Sequence, residues 1–248
     1  MSEVVVARGL AAGYSTEPVL RAVEFSAAAG RSLCVLGPNG GGKTTLFRVL
    51  IGELEPLEGS VRVEGRPAYV AQTDRTRLDF PVSALDVALM GSLPSGRWWL
   101  PAGSAERAAA TRALERLGLE DERDTRFGAL SGGQRQRALI ARALVQDAPV
   151  MLLDEPLAGV DPASAELITG LFEELRGRGR TLLVSTHDVQ SARGFDLVLC
   201  LNGRQVAFGP PAQVLERRVL EETYGSELVV LEDAEGPVRA ITVQHHEH

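Results

Sequence analysis

A chain of 248 residues, 44% hydrophobic and 24% charged, is long enough to bury a core without disulfide or metal staples. Its formal net charge of -7 argues against a protein that grips a nucleic-acid backbone, and no apolar run approaches the ~20 residues needed to cross a bilayer. The opening Met1-Ser2-Glu3-Val4 lacks the pattern of an export leader, and Cys34 and Cys200 lie in apolar runs that suit core packing in a reducing cytosol.

The predicted elements begin with short apolar runs. Val4 to Leu10, Leu20 to Ala27, Ser32 to Leu36, Ser60 to Val63 and Ala68 to Ala71 read as strands and hairpins, the last two around a turn at Glu64-Gly65. Together they predict an antiparallel sheet. Within this stretch Gly37, Pro38, Asn39, Gly40, Gly41, Gly42, Lys43, Thr44 and Thr45 carry the spacing Gly-x-x-x-x-Gly-Lys-Ser/Thr, after an apolar run and before the helical run Leu46 to Ile51. That is the context of a phosphate-cradling loop. Glycine backbones bend around a polyphosphate and present N–H groups, and the following helix adds its positive end. Lys43 is placed to reach the β- and γ-phosphates, and Thr44, with Thr45 beside it, to offer a hydroxyl to Mg²⁺. A nucleoside triphosphate is the expected ligand.

The middle of the chain is helical. Ser83 and Asp86 have capping-box spacing for a short amphipathic helix within residues 79–91. Ser104 to Leu117 places alanine, leucine and arginine at helical spacing up to Gly118, and Gln134 to Gln146 repeats the pattern, so this part reads as a helical insertion. Just before the second helix stands Leu130-Ser131-Gly132-Gly133-Gln134. Two readings are open: a plain helix cap, or an anion site made of exposed N–H groups, a hydroxyl and the positive helix end.

Alternating strands and helices follow, the pattern of a parallel sheet. Met151-Leu152-Leu153 delivers Asp154 and Glu155 at a strand's carboxyl end, where open α/β sheets bind ligands. Neighbouring side chains on a strand diverge, so the acids have different jobs: Asp154 to hold Mg²⁺, Glu155 to act as general base on an attacking water. Asp161-Pro162 starts a helix to about Arg176, Thr181 to Ser185 is a further strand, and Asn202-Gly203 turns a hairpin between Leu197–Leu201 and Arg204–Phe208. Pro211 opens a last helix ending near Tyr224-Gly225. The tail closes on His245-His246-Glu247-His248, read as a short polar terminus in preference to a weak Zn²⁺ or Mn²⁺ site.

Taken in order, the loop at Gly37, the pentapeptide at Leu130, Asp154-Glu155 and Ser185-Thr186-His187-Asp188 resemble the ATP-binding subunits of ATP-binding-cassette transporters, from Tyr14 to about Gly225. The resemblance implies an α/β P-loop NTPase fold with a RecA-like core, an antiparallel β subdomain and a helical subdomain. One domain would span 1–248, with core and β subdomain at 1–82 and 149–225, helical subdomain at 83–148 and a C-terminal tail at 226–248. It further implies that Ser131, Gly132, Gly133 and Gln134 of one copy cover the γ-phosphate bound by a second copy, so that two ATP molecules with Mg²⁺ lie in a head-to-tail dimer. Tyr14 matches the ring stacked on adenine, with a half-buried strand tyrosine as the other reading. Gln72 matches the glutamine that reaches Mg²⁺ and water and links the site to the membrane partner. His187 matches the switch histidine at the γ-phosphate, and Asp161 the aspartate that communicates across the dimer besides capping its helix.

The implied catalytic set is Glu155, His187 and Gln72, and the implied metal set Thr44, Gln72 and Asp154. Implied partners are transmembrane permease subunits and, indirectly, an extracytoplasmic solute-binding protein, with the chain cytoplasmic on the inner face of the cell membrane and no nucleic acid bound. Residues 79–91 and Gly159-Val160-Asp161 look like the manganese and zinc importer branch. Import of an iron-siderophore or another small solute stands as the alternative. A soluble relative working on ribosomes or DNA fits less well with a single cassette and an acidic balance, and a kinase or GTPase leaves the pentapeptide unexplained.

Overall fold

The computed structural model describes residues 2–71, 81–92 and 102–225, together with the backbone of Leu228–Leu231 and Arg239–Thr242. Gln72 and the tail histidines fall outside the described residues. The first five strands are β1 (Glu3–Ala12), β2 (Leu20–Ala28), β3 (Ser32–Leu36), β4 (Glu58–Val63) and β5 (Ala68–Val70). They do not make one antiparallel sheet. Only β1, β2 and β4 do, in the order β2-β1-β4, while β3 and β5 join a six-stranded sheet with β6 (Val150–Asp154), β7 (Thr181–Thr186), β8 (Leu197–Leu201) and β9 (Gln205–Gly209), ordered β5-β6-β7-β3-β8-β9. The expected β4–β5 hairpin is therefore split between two sheets. Burial explains the sorting: Ser32 to Leu36 is buried at every position, as a central parallel strand must be, whereas β4 is exposed or half-buried throughout.

The six-stranded sheet is parallel from β5 to β8, with β9 antiparallel at the edge behind the Asn202-Gly203 turn. Alternate residues of its strands feed different cores. Val150 and Leu152 of β6 join Leu33, Val35, Leu183 and Leu199, packing with α1 (Lys43–Leu50) and the antiparallel sheet. Met151 and Leu153 face the other way, into a core shared with α2 (Ala84–Leu89), α3 (Ser104–Glu115), α4 (Gly132–Gln146) and α5 (Pro162–Gly177). Cys34 and Cys200 sit fully buried in a third cluster and are free thiols. Burial raises both pKa values, that of Cys200 to about 11, so neither is a nucleophile.

Among the helices of the middle segment, α2 packs against both α3 and α4. It starts at the anticipated capping box: Ser83 Oγ accepts from the Asp86 N–H at 3.1 Å and Asp86 Oδ2 accepts from the Ser83 N–H at 2.9 Å.

The C-terminal part departs from expectation in two ways. A short α6 (Val189–Ala192) follows β7, and the single helix from Pro211 is broken into α7 (Pro211–Val214) and α8 (Arg217–Tyr224). The break has a packing reason. Val214 and Leu220 are six residues apart, about one and two-thirds turns, so an unbroken helix would point them to different sides. Interrupting it at Leu215–Glu216 lets Val214, Leu215, Leu220 and Tyr224 all enter the third cluster. The tail also contains a backbone hairpin, β10 (Leu228–Leu231) paired antiparallel with β11 (Arg239–Thr242).

Candidate functional site

The carboxyl ends of β3, β6 and β7 lie side by side in the sheet, and the sequence-predicted groups gather there. The glycine-rich loop joins β3 to α1. Gly42, its last residue before the helix, has φ +97°, and an added Cβ would lie 2.3 Å from Leu20 Cδ2, so a side chain is excluded on two grounds. Lys43 is 5% exposed, and its Nζ donates to the carbonyl oxygens of Gly37 (2.8 Å) and Pro38 (3.1 Å). The ammonium thus folds back onto its own loop and also pairs with Glu155 Oε1 at 3.3 Å.

Thr44 Oγ1 donates to Asp154 Oδ2 at 2.7 Å, which joins the hydroxyl and the first acid as anticipated. The other oxygen, Oδ1, accepts from Ser185 Oγ at 2.5 Å, and Tyr69 Oη lies 3.4 Å from Oδ2. Asp154 is 2% exposed, so these hydroxyls replace water around a buried carboxylate. Hard oxygen donors alone, one of them anionic and beside a phosphate loop, suit Mg²⁺.

Glu155 does not continue the strand. Its φ is +48°, a left-handed conformation uncommon for a non-glycine residue, and its N–H is caught by Ser185 Oγ at 2.9 Å. The divergence of the two acids thus comes from a turn in the backbone rather than from strand pleating. That turn swings the Glu155 carboxylate between Lys43 and His187, whose Nδ1 is 3.6 Å from Glu155 Oε2. His187, chiefly by hydrogen bonding, holds the Glu155 pKa below the usual carboxylate range against the opposing effect of burial. Reciprocally, Glu155 raises the His187 pKa above its ordinary 6.5, again against burial.

A cleft of about 730 Å³ lies beside this group, lined by Asn39, Glu155, Ser185 and His187 and, on the α5 side, by Thr169 and Phe172; Lys43, Thr44 and Asp154 do not line it. Tyr14 is 58% exposed in the bend after β1 and is no half-buried strand residue. Its hydroxyl is 3.4 Å from Thr45 Oγ1, and the Arg48 guanidinium lies 5.5 Å from its ring centroid.

The pentapeptide is arranged differently. Ser131 caps α4 through a capping box, its Oγ accepting from the Gln134 N–H (3.2 Å) and its own N–H donating to Gln134 Oε1 (2.8 Å); Gln134 Nε2 reaches Glu122 at 3.0 Å. Helix α4 therefore starts two residues earlier than its apolar periodicity indicated. Ser131 and Gly132 are exposed, and none of these bonds reaches residues 37–45 among the described residues. Asp161 caps α5, Oδ1 accepting from the Ser164 N–H at 3.0 Å, and this bond lowers its pKa. It also lies against the turn of the pentapeptide at Ser131–Gln134, the signature turn: a Cβ on Gly133 would come within 2.9 Å of Asp161 Oδ2.

Two participants went unread in the sequence. Ser185 ties both acids in place, and its register opposite Asp154 on neighbouring strands was the available signal. Tyr69, on the neighbouring β5, is the other.

An ABC transporter family model matches residues 20–158. The zinc transport system ATP-binding protein TroB of Treponema pallidum is 42% identical over 228 residues, 88% of this chain and 86% of that one. The manganese transport system ATP-binding protein MntB of Halalkalibacterium halodurans is 37% identical over 237 residues, 92% and 94% of the two. Among solved structures, a dimeric ATP-binding cassette in a post-hydrolysis state with ADP and Pi aligns with a TM-score of 0.74 at 25% identity, over 84% of this chain and 98% of that one. No helix among the described residues is long and apolar enough to cross a membrane. The loop, the paired acids and the signature turn, carried on the fold of these relatives, make this chain a member of the ABC transporter family, as one of its ATP-binding cassettes.

Proposed function

We propose that the chain hydrolyses ATP to drive import of a divalent metal ion, manganese or zinc, through a separate membrane permease. The observation that carries the catalytic reading is the approach of Lys43 and His187 to the Glu155 carboxylate, with the Thr44–Asp154 pair at the neighbouring strand ends. Lys43 would exchange the two loop carbonyls and Glu155 for the β- and γ-phosphates, taking the ATP anion into the cradle its ammonium now closes. Its departure leaves Glu155 free to accept the proton of a water aimed at the γ-phosphorus, with His187 donating to a γ-phosphate oxygen. Thr44 and Asp154 would hold the Mg²⁺ that neutralises charge on the transferring phosphoryl group, with Gln72 as a further ligand. Tyr14 would stack on the adenine.

Ser131 and Gly132 are exposed and the Ser131 and Gln134 side chains cap their own helix, while Gly133 is buried against Asp161 and Ser164; the open face at Ser131–Gly132 favours use of the turn on a second copy of the chain. A head-to-tail dimer completes both sites, in keeping with the dimeric cassette that shares the fold. Closure by ATP and reopening after hydrolysis would supply the motion passed to the permease on the cytoplasmic face, with a solute-binding protein feeding the outer side. The metal cargo rests on the names of the two relatives.

The test is uptake of radioactive manganese and zinc by cells that depend on this chain. Replacing the native copy with Glu155→Gln should abolish uptake of one of the two ions. Undiminished uptake of both would refute the cargo, and undiminished ATP turnover by the same variant would refute the catalytic role.

A further inference from the structure

The third core cluster contains one polar group aimed at the catalytic segment. Tyr224, the last residue of α8, is 4% exposed, its ring packed among Cys34, Leu36, Val189 and Cys200. A buried phenol needs a partner, and Tyr224 Oη finds the backbone carbonyl oxygen of His187 at 3.1 Å. Burial raises the Tyr224 pKa well above its usual value, so the hydroxyl remains a donor over the working range of pH.

The position of that carbonyl matters. His187 lies between the end of β7 and Asp188, the N-cap of α6, so its C=O precedes the helix and takes no part in the helical ladder. Asp188 fixes the downstream side, accepting from the N–H groups of Gln190 (2.9 Å) and Ser191 (3.1 Å), while its own N–H donates to Thr186 Oγ1 at 3.0 Å. The peptide plane that follows the His187 Cα is therefore held from one side by the capping turn and from the other by Tyr224. Displacing this peptide would carry the His187 Cα with it and so change the 3.6 Å approach of the imidazole to Glu155.

We propose that Tyr224 is a positioning residue for the reaction: its hydroxyl fixes the His187 backbone so that the imidazole meets the terminal phosphate. The proposal rests on the reading of His187 given under Proposed function. It also ties the C-terminal arm to the nucleotide site, because α8 leads into β10 and the β10–β11 hairpin packs beside α6 and α8.

Tyr224→Phe keeps the ring and deletes only the donor. In the full-length chain, alone and copurified with its membrane partner, kcat for ATP should fall about three- to tenfold, the range of one lost hydrogen bond, with KM and nucleotide affinity unchanged. In a His187→Ala background the same change should add no further loss to the residual turnover, because the group it positions is gone. Three results would overturn the proposal: a wild-type kcat, an equal loss in both backgrounds, or a chain unfolded at the assay temperature, which would assign the bond to the fold. Wild-type turnover of His187→Ala alone would instead remove the role of His187, and with it the proposal.

Discussion

The phosphate-loop site and the signature turn are both built from glycines and a hydroxyl at a helix start, yet their environments differ. Around the phosphate loop the charged groups are nearly buried and already paired: Lys43 with two carbonyls and Glu155, Asp154 with Thr44 and Ser185. At the turn, Ser131 and Gly132 are exposed and the polar side chains satisfy one another. On the proposed function, the first region binds the ligand within one chain and the second meets another copy. One region should therefore govern binding to a single copy, and the other only what happens when two copies meet.

The largest effect should come from the phosphate-loop site. Lys43→Ala removes the cation that answers the triphosphate charge, and ATP affinity should fall by about 10³ or more, measured by equilibrium binding to the monomer. Retained affinity would erase the contrast between the regions. Glu155→Gln should leave MgATP binding intact, slow hydrolysis by about 10²–10⁴, and accumulate a closed dimer visible by light scattering. A fast, monomeric variant would contradict it.

Gly133→Ala tests the turn directly. The new methyl would sit 2.9 Å from Asp161 Oδ2, so the signature turn or the α5 cap must shift. Turnover should fall roughly ten- to a hundredfold while binding of ATP to the monomer stays within about twofold of wild type, since the hydrogen bonds of the turn do not reach residues 37–45. A matching loss of monomer affinity would show that the two regions act within one chain.

The smallest effect sharpens the account of the cleft. Glu155 raises the His187 pKa above 6.5, so the pairing strengthens the nucleotide-free arrangement fully below that value and fades as pH rises through the raised one. The lowered Glu155 pKa gives the opposite limb, present above the usual carboxylate value of 4.5 and lost as pH falls through the lowered one. In Glu155→Gln the His187 titration, followed by NMR apart from the tail histidines, should drop to 6.5 or below, since burial and Lys43 then outweigh Asp188. An unmoved midpoint would break the assigned pairing.

Much of the site was legible residue by residue. The loop from Gly37 to Thr45, the two acids at the end of β6 and the cap at Asp161-Pro162 all depend on spacing within a few residues or on one short strand, and so did β3 and β8, whose ends match the apolar runs. What escaped depended on distant partners. The β4 and β5 runs look alike locally, but only the proximity of β6 decides that β5 pairs there. Nothing near position 155 announces a left-handed residue; the strain is tolerated because Ser185, thirty residues on, holds its N–H.

The amino-acid order alone determined most of the strands and the long helices, the glycine-rich loop before α1 and which acids stand at the strand end, because periodicity and spacing are local. The tertiary structure alone decided which strands share a sheet, how Glu155 is turned toward Lys43 and His187, that Ser185 serves both acids, and that Tyr224 reaches the His187 carbonyl. Those are choices of partner for buried polar and backbone groups, and such a group takes whichever donor or acceptor the packed chain brings within about 3 Å of it.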